Sequence, residues 1–416
     1  MALISQRNSK MFAKLGGAGF ANSPSPTVIG VSPDNQTWEI PVLAGFSFGQ
    51  TTNSTEVTVN EAGFNSRRAR VMFNDSLAPV EFSFSTYIRP TANTSPTKVV
   101  APEQVLWAML MGGDSYNSTT GRFYSSTQAT LGSPVASISP TTSPTATVAI
   151  NTGTTTATAD TYDFSASNVS FYPSGNSIIF QTSEAATYEV FTISNAQISS
   201  VTIDFDIEGI CTAQWSGMGT SIARGTTAIT GAVTLGTTST TNFIRNKLST
   251  LTLASYNDPG SPTGATDSYT VVLTGGSFTV ENNLSFLMPE ELGKVNQTIG
   301  NITGTRSISG SLTCYYDTNI TDSRSSELWS DLTTGKSGGV TSPSGGEIPS
   351  IRNAHALTIS VGGTTGNRLA LTMPTAHLEI PTINPDELFT LEVNFHALPG
   401  SGNFDSTDEA TIVYGV

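Results

Sequence analysis

The chain is 416 residues long, more than one hydrophobic core comfortably serves, so two or three domains are expected. Only 12% of the residues are charged, 37% are hydrophobic, and Thr, Ser, Asn and Gly are abundant, which excludes a helical bundle and suits an all-β protein with many turns. A formal net charge of −14 disfavours general electrostatic attraction to nucleic acid or to an anionic membrane surface.

Residues 1 to 35 contain Gly16, Gly17, Pro24, Pro26 and Pro33 without clear periodicity, and are expected to form an N-terminal arm. Their first twenty residues scatter Arg7, Lys10 and Lys14 and have no apolar run of signal-peptide length, so secretion by the general route is not expected. From Trp38 onward alternation becomes the rule, as in Val57-Thr58-Val59 and in VEFSFSTY from Val80 to Tyr87, the pattern of half-buried strands. A helix is expected over residues 102–110, where Pro102 and Glu103 open a segment with Leu106, Trp107 and Leu110 at helical spacing and Gly112-Gly113 stops it. A Thr/Ser/Pro-rich insertion follows at residues 127–161 and reads as loop or weak strands. A second helix is expected over residues 325–332, closed by Gly335 and carrying the same Leu-Trp pair, Leu328-Trp329.

The two helices prompt a search for an internal repeat. Leu43 to Phe48 matches Leu273 to Phe278, and Phe82 to Tyr87 matches Gly310 to Tyr315. Trp107 matches Trp329, and Thr202 to Ile207 matches Thr390 to Phe395. The four matches keep their order, with the spacing shortened after the helices because the first copy carries the insertion. Two β domains are therefore expected, residues 36–235 and 236–416, each a two-layer sandwich or barrel with one helix.

Chemistry-bearing motifs are few. Cys211 and Cys314 make no disulfide framework or metal spacing and read as strand thiols. His355, His377 and His396 adjoin no nucleophile motif, and no GxSxG, HExxH or P-loop pattern occurs, so neither catalytic residues nor a cofactor or metal site is expected. The most site-like feature is Asp204-x-Asp206-x-Glu208, three carboxylates at strand spacing with Val201, Ile203, Phe205 and Ile207 expected toward the core. A solvent face, an acidic stripe lining a channel, a hard-cation site and a pair of glycosidase acids all remain open for this cluster. Glu392, Asn394 and His396 stand in the matching places of the second copy.

A strand, a long connection, a second strand, one helix and closing strands, written twice, resemble the phage tail tube fold. The texture of Arg70 to Asp75 running into Phe82 to Pro90, and of Ala196 to Ile207 with Trp215-Ser216-Gly217, is similar as well. The resemblance implies a structural virion protein that builds a hollow tail from stacked rings, and a duplicated chain implies trimeric, pseudo-hexameric rings. It implies as partners further copies of the chain, the tape measure protein, the tail terminator and tail-tip or baseplate proteins, with DNA passing unbound and no membrane insertion. Assembly in the host bacterial cytoplasm is implied too. Asp204, Asp206, Glu208 and Glu392 then become candidates for facing the lumen. Two long connections, near residues 49–69 and 282–306, become candidates for inter-ring loops, with Arg67, Arg68 and Arg70 in one and Glu290 and Glu291 in the other. A solvated loop is the ordinary alternative for such charge runs. A carbohydrate-binding or adhesive β-sandwich is the competing function.

Overall fold

A computed structural model of the chain describes residues 8–16, 37–58, 70–94, 97–113, 115–117, 122–124, 134–140, 145–149, 175–184, 187–234, 243–255, 268–288, 292, 295–298, 300–318, 325–334, 355–363, 367–385, 387–398 and 409–415. It is mostly β-structure, with two α-helices among these residues.

Eight strands form one continuous front sheet: β1 (Ser47–Gly49), β2 (Val80–Tyr87), β3 (Gln197–Asp204), β4 (Thr212–Gly219), β5 (Leu273–Glu281), β6 (Ser307–Tyr315), β7 (Thr382–Asn384) and β8 (Thr390–Ala397). Their spatial order is β1-β2-β4-β3-β5-β6-β8-β7, every neighbour antiparallel. The first four strands are thus ordered 1-2-4-3 and the last four 5-6-8-7, the same arrangement. Alternation decides their faces: Val80, Phe82 and Phe84 of β2 point inward while Glu81, Ser83 and Ser85 point out, and Leu391, Val393 and Phe395 of β8 point inward while Glu392, Asn394 and His396 point out.

Behind the first half lies a six-stranded sheet built from Ser9–Lys14, Thr37–Ile40, Ser177–Glu184, Thr187–Ser194, Ser221–Gly225 and Val233–Thr234. The expected arm therefore contains a strand, Ser9–Lys14, paired on both sides. Its MFA run hides the period of two because both of its faces are covered. Met11 and Ala13 join the main core, whereas Phe12 packs with Ile179 and Val190 on the other side.

Behind the second half, Thr250–Ser255, His355–Val361, Arg368–Leu378 and Thr411–Gly415 pair in turn. The long strand Arg368–Leu378 changes layers, pairing with Thr411–Gly415 at its start and with β8 at its end. Within the 127–161 insertion, Pro134–Pro140 and Thr145–Ala149 are strands, and the latter pairs with Thr411–Gly415. Sequence from the first half thereby extends the back sheet of the second.

Helix α1 (Gln104–Leu110) is wholly buried and joins the main core cluster, which draws on both halves. Gly112, at φ 79°, closes it, and the Gly113 amide bonds back to the Ala108 carbonyl at 2.7 Å. Trp107 meets Trp215 edge-on at 5.0 Å and donates its indole N–H to the Tyr414 hydroxyl at 2.7 Å, so the C-terminal strand is tied to the helix of the first half. In α2 (Ser325–Thr334) the buried anchors are Leu328 and Leu332, one turn apart, while Trp329 is only half-buried. The expected Leu-Trp core pair is there a Leu-Leu pair.

Candidate assembly interface

The register of the front sheet aligns its two halves residue by residue. Ser47 sits opposite Ser83 across β1 and β2, and Ser277 opposite Ser311 across β5 and β6. In both places the hydroxyls are hydrogen-bonded, at 2.9 and 3.2 Å. Thr212 of β4 faces Tyr87, and Thr390 of β8 faces Tyr315. One strand further, Asp204 of β3 faces Thr212 and Asn384 of β7 faces Thr390.

This register corrects one match read from the sequence. Thr390 to Phe395 lies in β8, which holds the place of β4, so the positional counterpart of Glu392 is Gln214 and that of Asp204 is Asn384. Every strand of the sheet shares the same in-out alternation, and a period of two cannot separate neighbours. A second correction concerns the acidic triplet. Strand β3 ends at Asp204, so Asp206 and Glu208 lie in the turn beyond it, and Ile207 is 48% exposed rather than core-facing.

The outward face of the front sheet is a field of small hydroxyl side chains. Ser83, Ser85, Ser216, Ser200, Thr202, Ser277, Thr279, Ser309, Ser311 and Thr313 all stand on it, and several link across strands. Its charged positions are Glu81, Asp204, Glu281 and Glu392; none of the eight strands contains a Lys or Arg. Asp204 and Asp206 share a depression with Gly275, Ser277, Ser311 and Thr313. Partial burial, helped by the neighbouring Asp206 charge, holds the Asp204 carboxyl above the usual range. Among the described residues no group of His, Cys, Asp and Glu has metal-site geometry.

The sheet has two edges, β1 and β7, each paired on one side only among the described strands. Such edges invite pairing with another chain. Both long connections leave from one end of the sheet. Thr52–Thr58 and Arg70–Leu77 form a hairpin between β1 and β2, and Leu284–Leu287 pairs with Gly300–Thr303 between β5 and β6. Their bases touch: the Leu77 amide donates to the Asn296 carbonyl at 2.9 Å and the Asn296 amide to that of Asp75 at 3.0 Å. The two connections are therefore neighbours in one chain. Arg70 is on the hairpin and pairs with Glu56 at 3.1 Å, whereas Arg67, Arg68, Glu290 and Glu291 lie outside the described residues.

Residues 29–397 match the family model described as "Phage tail tube protein". The chain belongs to the phage tail tube protein family. The tail tube chain is also 28% identical over 384 residues to the tail tube protein pb6 of Escherichia phage T5, covering 90% of its own length and 70% of that relative. It is a structural protein of the phage virion and assembles as a multimer into the tail tube. Cys211 and Cys314 are free, buried thiols, and burial pushes the Cys314 thiol up to about 12. The residues that the sequence reading missed are the edge strands and the apolar side chains of the hairpin, Val57, Val71 and Phe73. Alternation in Val57-Thr58-Val59 was legible, but not that the resulting face stays exposed.

Proposed function

We propose that this tube protein closes into rings by pairing β7 of one copy with β1 of the next, and that the stacked rings form the hollow channel through which phage DNA leaves the capsid. The internal junction between the two halves, β3 on β5, carries this reading. β7 holds in the second half the place that β3 holds in the first, and β1 holds the place of β5. Repeating the junction between chains satisfies both free edges and sets Asn384 opposite Ser47 of the neighbour, as Asp204 stands opposite Ser277. The residues 36–235 and 236–416 are then two tube domains, and three chains supply the six blocks of a pseudo-hexameric ring.

In such a ring the hydroxyl-covered face lines the lumen. Asp204 and Glu392 lie on that face, and Asp206 and Glu208 stand at its rim. A wall carrying carboxylates and no Lys or Arg repels phosphate and offers no ion pair on which DNA would stick. The rings stack through the long connections, and the column is bounded by the tape measure protein within, the tail terminator above and tail-tip or baseplate proteins below, with assembly in the host cytoplasm. Negative-stain microscopy of the purified chain, with native mass measurement of the rings, tests this. Hollow tubes and rings of three chains are expected, while dispersed monomers at high concentration would contradict it.

A further inference from the structure

The six-stranded sheet behind the first half has a second face, turned away from the main core. A strap, residues 226–232, crosses that face from the edge strand Ser221–Gly225 to the opposite edge strand Val233–Thr234. Phe12, Ile179 and Val190 form a small apolar cluster on the sheet, and Ile229 and Ala232 of the strap pack onto it. Gly231, at φ 74°, turns the strap there. Ala228, Thr230 and Gly231 are too small to fill the space beside the cluster, which remains a cavity of about 450 Å³, within the size range of small-ligand pockets.

Strand register sets the floor of this cavity. Lys10 stands opposite Gln181 and Ser183 opposite Tyr188, and all four side chains line it. Tyr188, half-buried, also packs against the apolar cluster. Gln181 is only 7% exposed, and its Oε1 accepts the Ile229 amide of the strap at 2.7 Å. A backbone N–H can bond only the oxygen of a carboxamide, so the orientation of that group is settled, and its NH2 donors have no partner among the described residues. A buried donor at the wall of an open cavity is offered to whatever fills it. The charged lining residues, Lys10 and Glu39, pair with each other at 3.0 Å, and the Thr234 hydroxyl donates to Glu39 at 3.2 Å, so the lining is neutral overall.

We propose that this cavity binds a short neutral saccharide. The Tyr188 ring offers an apolar surface to the C–H face of a pyranose, while the Gln181 donors, the Lys10 ammonium, the Glu39 carboxylate and the Ser183 hydroxyl meet sugar hydroxyls, which both donate and accept. An anion would have to displace Glu39 from Lys10, and an apolar ligand would leave the Gln181 donors buried and unpaired. On the tube reading, with the front sheet lining the lumen, this face is the outer wall, and every chain repeats the cavity along the tail. A site of only millimolar affinity then holds a polysaccharide by avidity, which gives the tail shaft a grip on surface glycan separate from the conduction of DNA.

Saturation-transfer NMR on the full chain, with glucose, galactose, mannose, N-acetylglucosamine and their disaccharides as probes, tests the site. Transfer to at least one sugar is expected, with binding weakened about tenfold by Tyr188→Ala and by Gln181→Glu, which keeps the oxygen that holds Ile229 and removes the NH2 donors. Denaturant unfolding of both variants separates loss of the site from loss of the fold, and Ser85→Ala, on the front sheet, is expected to bind as the wild type does. No transfer at millimolar sugar from folded wild-type chain, or undiminished transfer in both cavity variants, would overturn the proposal. Assembled tubes are expected to bind the same sugar, and tubes that fail to do so, built from a chain that binds it, would overturn the outer-wall placement. A chain that binds sugar but forms no tubes would sink the tube reading and leave the cavity its ligand.

Discussion

At the scale of single residues, the front sheet contains one packing pair written in both orders. Phe82 of β2 lies opposite Gly217 of β4, and Gly310 of β6 lies opposite Phe395 of β8. A Cβ at Gly217 would stand 2.4 Å from the Phe82 ring, and one at Gly310 2.4 Å from that of Phe395. Each glycine leaves room for the ring opposite, and the large and small partners have changed strands between the halves. Gly217→Ala or Gly310→Ala is expected to destabilise the chain by about 1–3 kcal/mol, the usual range for overpacking, measured by denaturant unfolding. A second residue with a clear consequence is Glu103, fully buried beside α1 and raised to about 7 by desolvation, which outweighs the lowering by the Tyr414 hydroxyl and the Arg89 charge. A carboxyl raised in the folded state keeps its full stabilisation below the unfolded value near 4.5 and loses it as pH rises toward 7. Glu103→Gln is therefore expected to flatten the fall in stability between those two pH values, a difference of about 3 kcal/mol at 1.36 kcal/mol per pH unit. An unchanged slope in the variant would rule Glu103 out as its source. Neither feature was legible beforehand, because Glu103 reads as an ordinary first-turn acid and a Gly–Phe pair is visible only once register is known.

At the scale of elements, what was readable was whatever announces itself locally. VEFSFSTY became β2, Pro102 and Gly112 bracket α1, and Leu328 and Leu332 hold α2 in the core. Elements whose signal depends on tertiary surroundings were lost. Ser9–Lys14 is covered on both faces and shows no alternation, and Thr145–Ala149 inside the 127–161 insertion, read as loop or weak strands, pairs with Thr411–Gly415, which is remote in sequence. The acidic triplet illustrates the same limit, since alternation ran on past Asp204 in the sequence while the strand itself ended there. The proposed acidic lining belongs to the face as a whole. Neutralising Asp204 and Glu392 together, as Asn and Gln, is expected to leave rings intact and slow DNA ejection from phage particles carrying the variant. Ejection at the wild-type rate would remove the acidic lining from the mechanism.

For the whole molecule, the order 1-2-4-3 followed by 5-6-8-7 links sequence, fold and assembly. The halves pair edge to edge through β3 and β5, which is the contact the proposed ring closure repeats between chains, and among the described strands β1 and β7 are left open for it. The most direct measurement is oxidative cross-linking of the Ser47→Cys, Asn384→Cys double variant in assembled tubes, resolved on a denaturing, non-reducing gel. Closure through β1 and β7 predicts covalent dimers and trimers, with the ladder stopping at the closed trimer. Tubes that remain fully monomeric on the gel after oxidation would contradict edge-to-edge closure.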